Sequence, residues 1–194
     1  MTIHTFGDSH AHNGWDGLPR VSPHWLGPKL CFSAGRDGID IETGYDIQEG
    51  DVLIFAYGEI DCRCHIHKHI SENNTYQQII DDIVASYFVK IKETASNFPN
   101  VRVGVYNVVP AVRKDQVWQN SDYPHLGTDE ERKDYVLYFN SKLKETCESY
   151  GYIFVDVYNH YIDQDGFLNR DLSDGAVHIR DNRFIHEFLE NTIK

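Results

Sequence analysis

The stretch Asp51-Val52-Leu53-Ile54-Phe55-Ala56-Tyr57 decides the fold class. Its apolar residues run almost without interruption over the length of one strand. A strand covered on one face alternates apolar with polar residues; a strand covered on both faces does not, and that pattern marks a parallel sheet with helices on either side. Outward from it, Ile79, Ile80, Ile83, Val84, Tyr87, Phe88 and Ile91 fall three and four residues apart, so Tyr76 to Asn97 reads as a helix with one apolar stripe. Val101 to Val109 reads as another buried strand.

Towards the N-terminus, Ile3 to Phe6 is a short strand ending at Gly7-Asp8-Ser9-His10, and Lys29 to Ala34 is a second strand ending near Gly35. Gly, Pro, His and Trp crowd residues 13 to 28 without period, which reads as a loop. Towards the C-terminus, Thr128-Asp129-Glu130-Glu131 has the form of a capping box. It opens a helix that runs to Tyr150 and stops at Gly151, a residue suited to a left-handed cap. Tyr152 to Val157 is the last strand, and Asn182 opens a closing helix. Five strands alternating with helices predict an α/β fold: a three-layer α/β/α sandwich on a parallel sheet. No repeat or linker divides residues 1–194, so one domain is expected.

The formal charge of −12, with no long Lys/Arg run, argues against nucleic acid and anionic membranes as partners. A neutral small-molecule or glycan substrate fits better. The opening Met-Thr-Ile-His-Thr-Phe leads straight into a strand and does not read as a signal peptide. No apolar run is long enough to span a bilayer. A cytoplasmic protein with Cys31, Cys62, Cys64 and Cys147 reduced is the expectation.

In open parallel sheets, ligands bind beyond the carboxyl ends of the strands. Ser9, Gly35, the run Gly58-Glu59-Ile60-Asp61-Cys62-Arg63, and Asp174-Gly175-Ala176-Val177-His178 are all placed on that rim. A serine hydroxyl needs a base to take its proton, and the base needs a carboxylate to hold its tautomer. Ser9, His178 and Asp174 supply those groups in the order Ser, Asp, His.

Gly7-Asp8-Ser9 resembles the first block of the SGNH (GDSL-like) hydrolases. Gly58-x-x-Asp61 resembles their third block and the Asp-Gly…His178 stretch their fifth. The resemblance runs in order along nearly the whole chain. It implies a flavodoxin-like fold, hydrolysis or transfer of an ester-linked acyl group (often acetyl on a carbohydrate), and no cofactor.

Two positions depart from that pattern. The third block usually carries an Asn that helps bind the oxyanion; here the position is Ile60. Arg63 is the candidate substitute, beside the Ser9 and Gly35 amides, with Gly58 and Asp61 in the same substrate-facing block. The carboxylate usually lies three residues before the His, where this chain has Gly175. Asp174 stands one place earlier, and Asp171 or a backbone carbonyl are the alternatives.

Other readings compete. Ser9 alone also suits a turn or helix cap. Cys62-x-Cys64-His65-x-His67-x-His69 resembles a metal run but lacks a distant second ligand pair, so no metal is expected. Asp8-x-His10 resembles the opening of metallophosphoesterases, yet their later motifs are missing. A carbohydrate-binding domain that no longer cleaves also fits the missing Asn, and the same scaffold could transfer a sugar, for which the pocket position is the only sequence support. Contact between Ser9 and His178 favours catalysis, and separation favours binding.

Overall fold

The computed structural model describes residues 1–41 and 44–194. Its five strands are β1 (Ile3–Gly7), β2 (Val21–Trp25), β3 (Val52–Ala56), β4 (Arg102–Tyr106) and β5 (Ile153–Val155), in the spatial order β2-β1-β3-β4-β5. Every neighbouring pair is parallel. The helices are α1 (Cys31–Asp37), α2 (Ile66–His69), α3 (Tyr76–Ala95), α4 (Asp129–Tyr150) and α5 (Arg183–Thr192).

β3 shows why the sheet has two covered faces. Leu53 and Phe55 join one apolar cluster, with Ala34 of α1, Ile80 and Phe88 of α3, and Phe139 of α4. Val52, Ile54 and Ala56 join the other, with Trp15, Tyr161, and Ile185 and Leu189 of α5. All five residues of β3 are buried. Alternate side chains enter opposite layers, so an unbroken apolar run satisfies both. The result is the expected three-layer, flavodoxin-like α/β/α sandwich.

α3 and α4 form where their stripes place them. Thr75 and Gln78 cap α3 reciprocally, and Thr128 and Glu131 do the same for α4. Gly151 closes α4 at φ +69°, in the left-handed region.

The N-terminal third departs from the sequence reading. Lys29 to Ala34 does not form a strand; Cys31–Asp37 is α1, and β2 lies instead at Val21–Trp25, within the stretch read as a loop. β2 is an edge strand that tolerates Pro23 and is only partly buried, so it lacks the apolar signature of β3. Leu30, the residue before α1, offers no side-chain cap; Asp61 caps the helix by accepting the Cys31 and Phe32 amides.

Candidate active site

β1 lies between β2 and β3, so the chain leaves it on one side for β2 and later returns on the other for β3. That reversal opens a crevice at the carboxyl end of β1. Gly7 is the last residue of β1, and a Cβ there would stand 1.9 Å from the carbonyl oxygen of Ala56. Only glycine lets the two strand ends approach so closely. Asp8 then caps a tight 3-10 turn, Ser9–Ala11, by accepting the His10 amide at 2.8 Å. Ser9 therefore opens a turn held from both sides.

The Ser9 hydroxyl Oγ lies 2.9 Å from His178 Nε2. His178 Nδ1 lies 2.7 Å from Asp174 Oδ2. The three residues predicted from sequence thus form one hydrogen-bonded chain, and Asp174, not Asp171, partners the imidazole. The extra residue between carboxylate and imidazole is taken up by Gly175, at φ +87°. Asp174 Oδ1 accepts the amides of Ala176 and His178, which folds the loop around the carboxylate.

Electrostatics keep Asp174 charged and His178 neutral. Burial opposes ionisation of Asp174, but the His178 bond, the Ala176 and His178 amides and the His178 charge outweigh it, so its pKa falls. Burial and the neighbouring His10 push the His178 pKa below the ordinary imidazole value, against the pull of Asp174 and Glu59. A neutral imidazole that faces a hydroxyl with one nitrogen and a carboxylate with the other is arranged to accept the hydroxyl proton.

The expected oxyanion and substrate-facing residues divide. Gly35 is corrected: it lies inside α1, where its amide belongs to the helix ladder, and it packs against α3. A Cβ there would meet Ser86 Cβ and the Tyr87 amide nitrogen at 3.0 Å. Its glycine serves helix packing. Asp61 is fully buried, and its oxygens accept the Cys31 and Phe32 amides at 2.6 and 3.0 Å. Burial raises its pKa to about 7, against those amides. Both its oxygens are taken up in holding α1, and neither is left for substrate.

Gly58, at φ +120°, lies two residues past β3 and leads into a helical segment that passes through a π-turn at Asp61–His65. Such turns recur at functional sites. Arg63 stands on this turn with its guanidinium 3.0 Å from the Glu59 carboxylate, in a mostly buried ion pair. Its Nε has no hydrogen-bond partner. Ile60 is buried, so no side-chain donor replaces the missing amide at that position.

Two residues beside the triad were given no part in the serine chemistry by the sequence reading. His10 is buried with its ring centroid 4.8 Å from that of His178, and Glu59 contributes charge to both imidazoles. In the sequence, His10 stood out only as part of Asp8-x-His10, read as a metal-binding opening, and Glu59 only as part of the run after β3. The His/Cys run also resolves: His65 and His69 share a helix face, with rings 4.4 Å apart, while His67 bonds Tyr135. Among the described residues, no group of three or more His, Cys, Asp or Glu is arranged to hold a metal.

A cleft of about 250 Å³ runs beside Asp174, bordered by His12, Asn13, Asp16, Arg180 and Asn182. A more apolar cavity of about 420 Å³ lies between α1, α2 and α3 and takes none of the three triad residues into its lining.

No protein-family model and no curated protein sequence matches the chain. Solved structures do. A GDSL-like lipase from Bacteroides thetaiotaomicron superposes with a TM-score of 0.62 at 10% identity, covering 99% of this chain and 87% of the other. A member of the lipolytic G-D-S-L family from Veillonella parvula gives 0.60 at 14%, covering 100% and 98%. The OSK domain of Drosophila Oskar gives 0.57 at 14%, covering 98% and 87%. One fold therefore hosts proteins named for lipolysis and one that is not, and chemistry has to be argued from the site. The parallel sheet, the turn at Gly7-Asp8-Ser9 and these superpositions together place the chain in the SGNH (GDSL-like) hydrolase fold.

Proposed function

We propose that the chain is a serine ester hydrolase or acyltransferase that removes a small acyl group, such as acetyl, from a polar, glycan-like alcohol. The observation that carries this reading is the hydrogen-bonded chain Ser9–His178–Asp174. Ser9 Oγ attacks the acyl carbonyl while its proton passes to His178 Nε2. Asp174 holds the other ring nitrogen and stabilises the imidazolium that forms. His178 then protonates the departing alkoxide, and water or a sugar hydroxyl takes the acyl group from Ser9 by the same route in reverse. The Ser9 amide, which opens the turn, is the proposed backbone donor to the oxyanion; Arg63, paired with Glu59, is the candidate side-chain donor.

The polar character of the substrate is suggested by the cleft that reaches Asp174 and is lined by Asn and charged side chains; Ser9 and His178 lie outside that lining. A long acyl chain would require an apolar channel at the triad, and the more apolar cavity is lined by other residues. The contact between Ser9 and His178 favours catalysis over a binding-only domain.

Hydrolysis of p-nitrophenyl acetate by wild type and Ser9→Ala, with and without a chelator, tests the reading. Activity that disappears in Ser9→Ala and is indifferent to chelator is the expected result. Activity that survives the substitution, or that the chelator removes, contradicts it.

A further inference from the structure

His10 has no part in the proposed proton transfer, yet it is the side chain most closely tied to both halves of the site. Its Nδ1 lies 3.0 Å from Asp8 Oδ1, and its Nε2 lies 3.3 Å from the carbonyl oxygen of Val177. Both partners are acceptors. A neutral imidazole has one N–H and satisfies one of them; only the imidazolium satisfies both.

The surroundings require the same charge. Asp8 is fully buried, and its Oδ1 accepts the His10 amide and the His10 ring, while Oδ2 has no partner. Among the described residues, His10 is the cationic group paired with it. A buried carboxylate is costly unless its partner carries the opposite charge. Burial alone pulls the His10 pKa down. The charge and hydrogen bond of Asp8, the charge of Glu59 and the Val177 carbonyl outweigh it, and the value stands above the ordinary one.

We propose that His10 is a positioning residue: as an imidazolium it ties the Val177–His178 loop to the Ser9 turn, and its charge keeps the neighbouring His178 unprotonated. This rests on the reading of His178 as the base. Of the two neighbouring imidazoles, tilted at 45° to each other, the one fixed by Asp8 holds the proton, so the one facing Ser9 is free to receive one. The groups acting on His10 are Asp8 from its own turn, Glu59 from beyond β3, and the Val177 carbonyl. Those acting on His178 are His10, Asp174 and Glu59. The charge and the tether come from one side chain, so the Ser9 turn carries both the nucleophile and the device that readies its base.

The test is a ¹⁵N NMR titration of the histidine rings in the full chain, with the pH profile of kcat/KM for wild type, His10→Gln and Asp8→Asn. In wild type, His10 shows the imidazolium signature throughout the range in which His178 gains its proton. In His10→Gln, the His178 pKa and the acid limb of the profile move up by about one unit or more. Asp8→Asn is the sharper variant. Loss of an anion acting directly on His178 would move its pKa down, whereas loss of the His10 proton moves it up, and up is expected. A His10 ring that is neutral while His178 is neutral overturns the proposal, and so does an unmoved His178 in a folded His10→Gln protein. If neither variant folds, the wild-type spectrum decides. The titration needs no ester turnover, so a wild type without esterase activity would count against the catalytic reading alone.

Discussion

Asp174 grips His178 twice, through Oδ2 to the ring Nδ1 at 2.7 Å and through Oδ1 to the backbone amide at 3.3 Å. One carboxylate thus fixes both the tautomer of the ring and the loop that carries it. Asp174→Asn keeps the shape but presents the ring with the wrong hydrogen-bonding partner. Esterase kcat is expected to fall by roughly 10²–10⁴-fold, in line with the loss of the corresponding carboxylate in serine hydrolases. Asp171→Ala, which leaves the triad untouched, should keep wild-type rates. Steady-state kinetics on both variants separates the two candidate carboxylates.

The pH profile follows from the depressed His178 pKa. Burial, then His10, holds the folded-state value below 6.5, so the neutral base persists as pH falls past the ordinary histidine range. The acid limb of kcat/KM for the free enzyme should therefore lie below pH 6.5. A limb at or above that value would contradict the geometry.

Stability should move with other histidines. Burial holds His24, His65 and His125 at about 4 in the folded protein, with neighbouring positive groups adding to the effect. The unfolded chain takes up these protons near 6.5 and the folded chain does not, so stability is full above 6.5 and is lost as pH falls towards 4. Asp61, raised to about 7, acts in the opposite sense, since it loses folded-state stability as pH rises from 3.8. His178, also lowered, acts with those three imidazoles, while His10, raised, acts with Asp61; four imidazoles against these two groups give a Tm that declines from pH 7 to pH 4.5, measurable by scanning calorimetry.

Asp61 links two elements that are distant in sequence. Asp61→Ala would strand the amides of Cys31 and Phe32 at the start of α1, at a cost of roughly 1–3 kcal/mol for each group left buried and unpaired. Asp61→Asn keeps one acceptor and loses no charge where the carboxyl is already protonated. It should be the milder substitution in chemical denaturation, and least distinguishable from wild type below pH 7.

Gly58 cannot carry a side chain without strain. At φ +120° a Cβ would stand 2.7 Å from Val108 Cγ2 and 3.3 Å from the Phe139 ring. Gly58→Ala is expected to cost about 1–3 kcal/mol. Because the segment bearing Glu59 and Arg63 starts there, it should also lower kcat/KM. An urea midpoint equal to wild type would refute the strain argument.

Much of this was legible in the sequence wherever the signal is local. β3 announced itself by its unbroken apolar run, α3 by its stripe, and α4 by its caps. Ser9, Asp174 and His178 were found because short motifs fall at the ends of those elements. The failures are non-local. Nothing within residues 29–37 says helix, because the cap on α1 comes from Asp61. Nothing within residues 21–25 says strand, because an edge strand with a proline lacks the buried pattern. Misplacing β2 and α1 also misplaced Gly35, which then looked like a rim residue and is a packing one. His10 was noticed only in a competing metal-binding reading, for a different reason: its place beside the triad depends on Val177 and His178, which are distant in sequence.

The central claim is that Ser9 is a nucleophile activated by His178. Labelling with a fluorophosphonate probe, read by mass spectrometry of the intact protein and its peptides, tests it without knowledge of the substrate. One adduct per chain on Ser9, absent in Ser9→Ala and strongly slowed in His178→Ala, is the predicted result. No adduct on a folded wild-type protein, or an adduct on another residue that persists in Ser9→Ala, would contradict it.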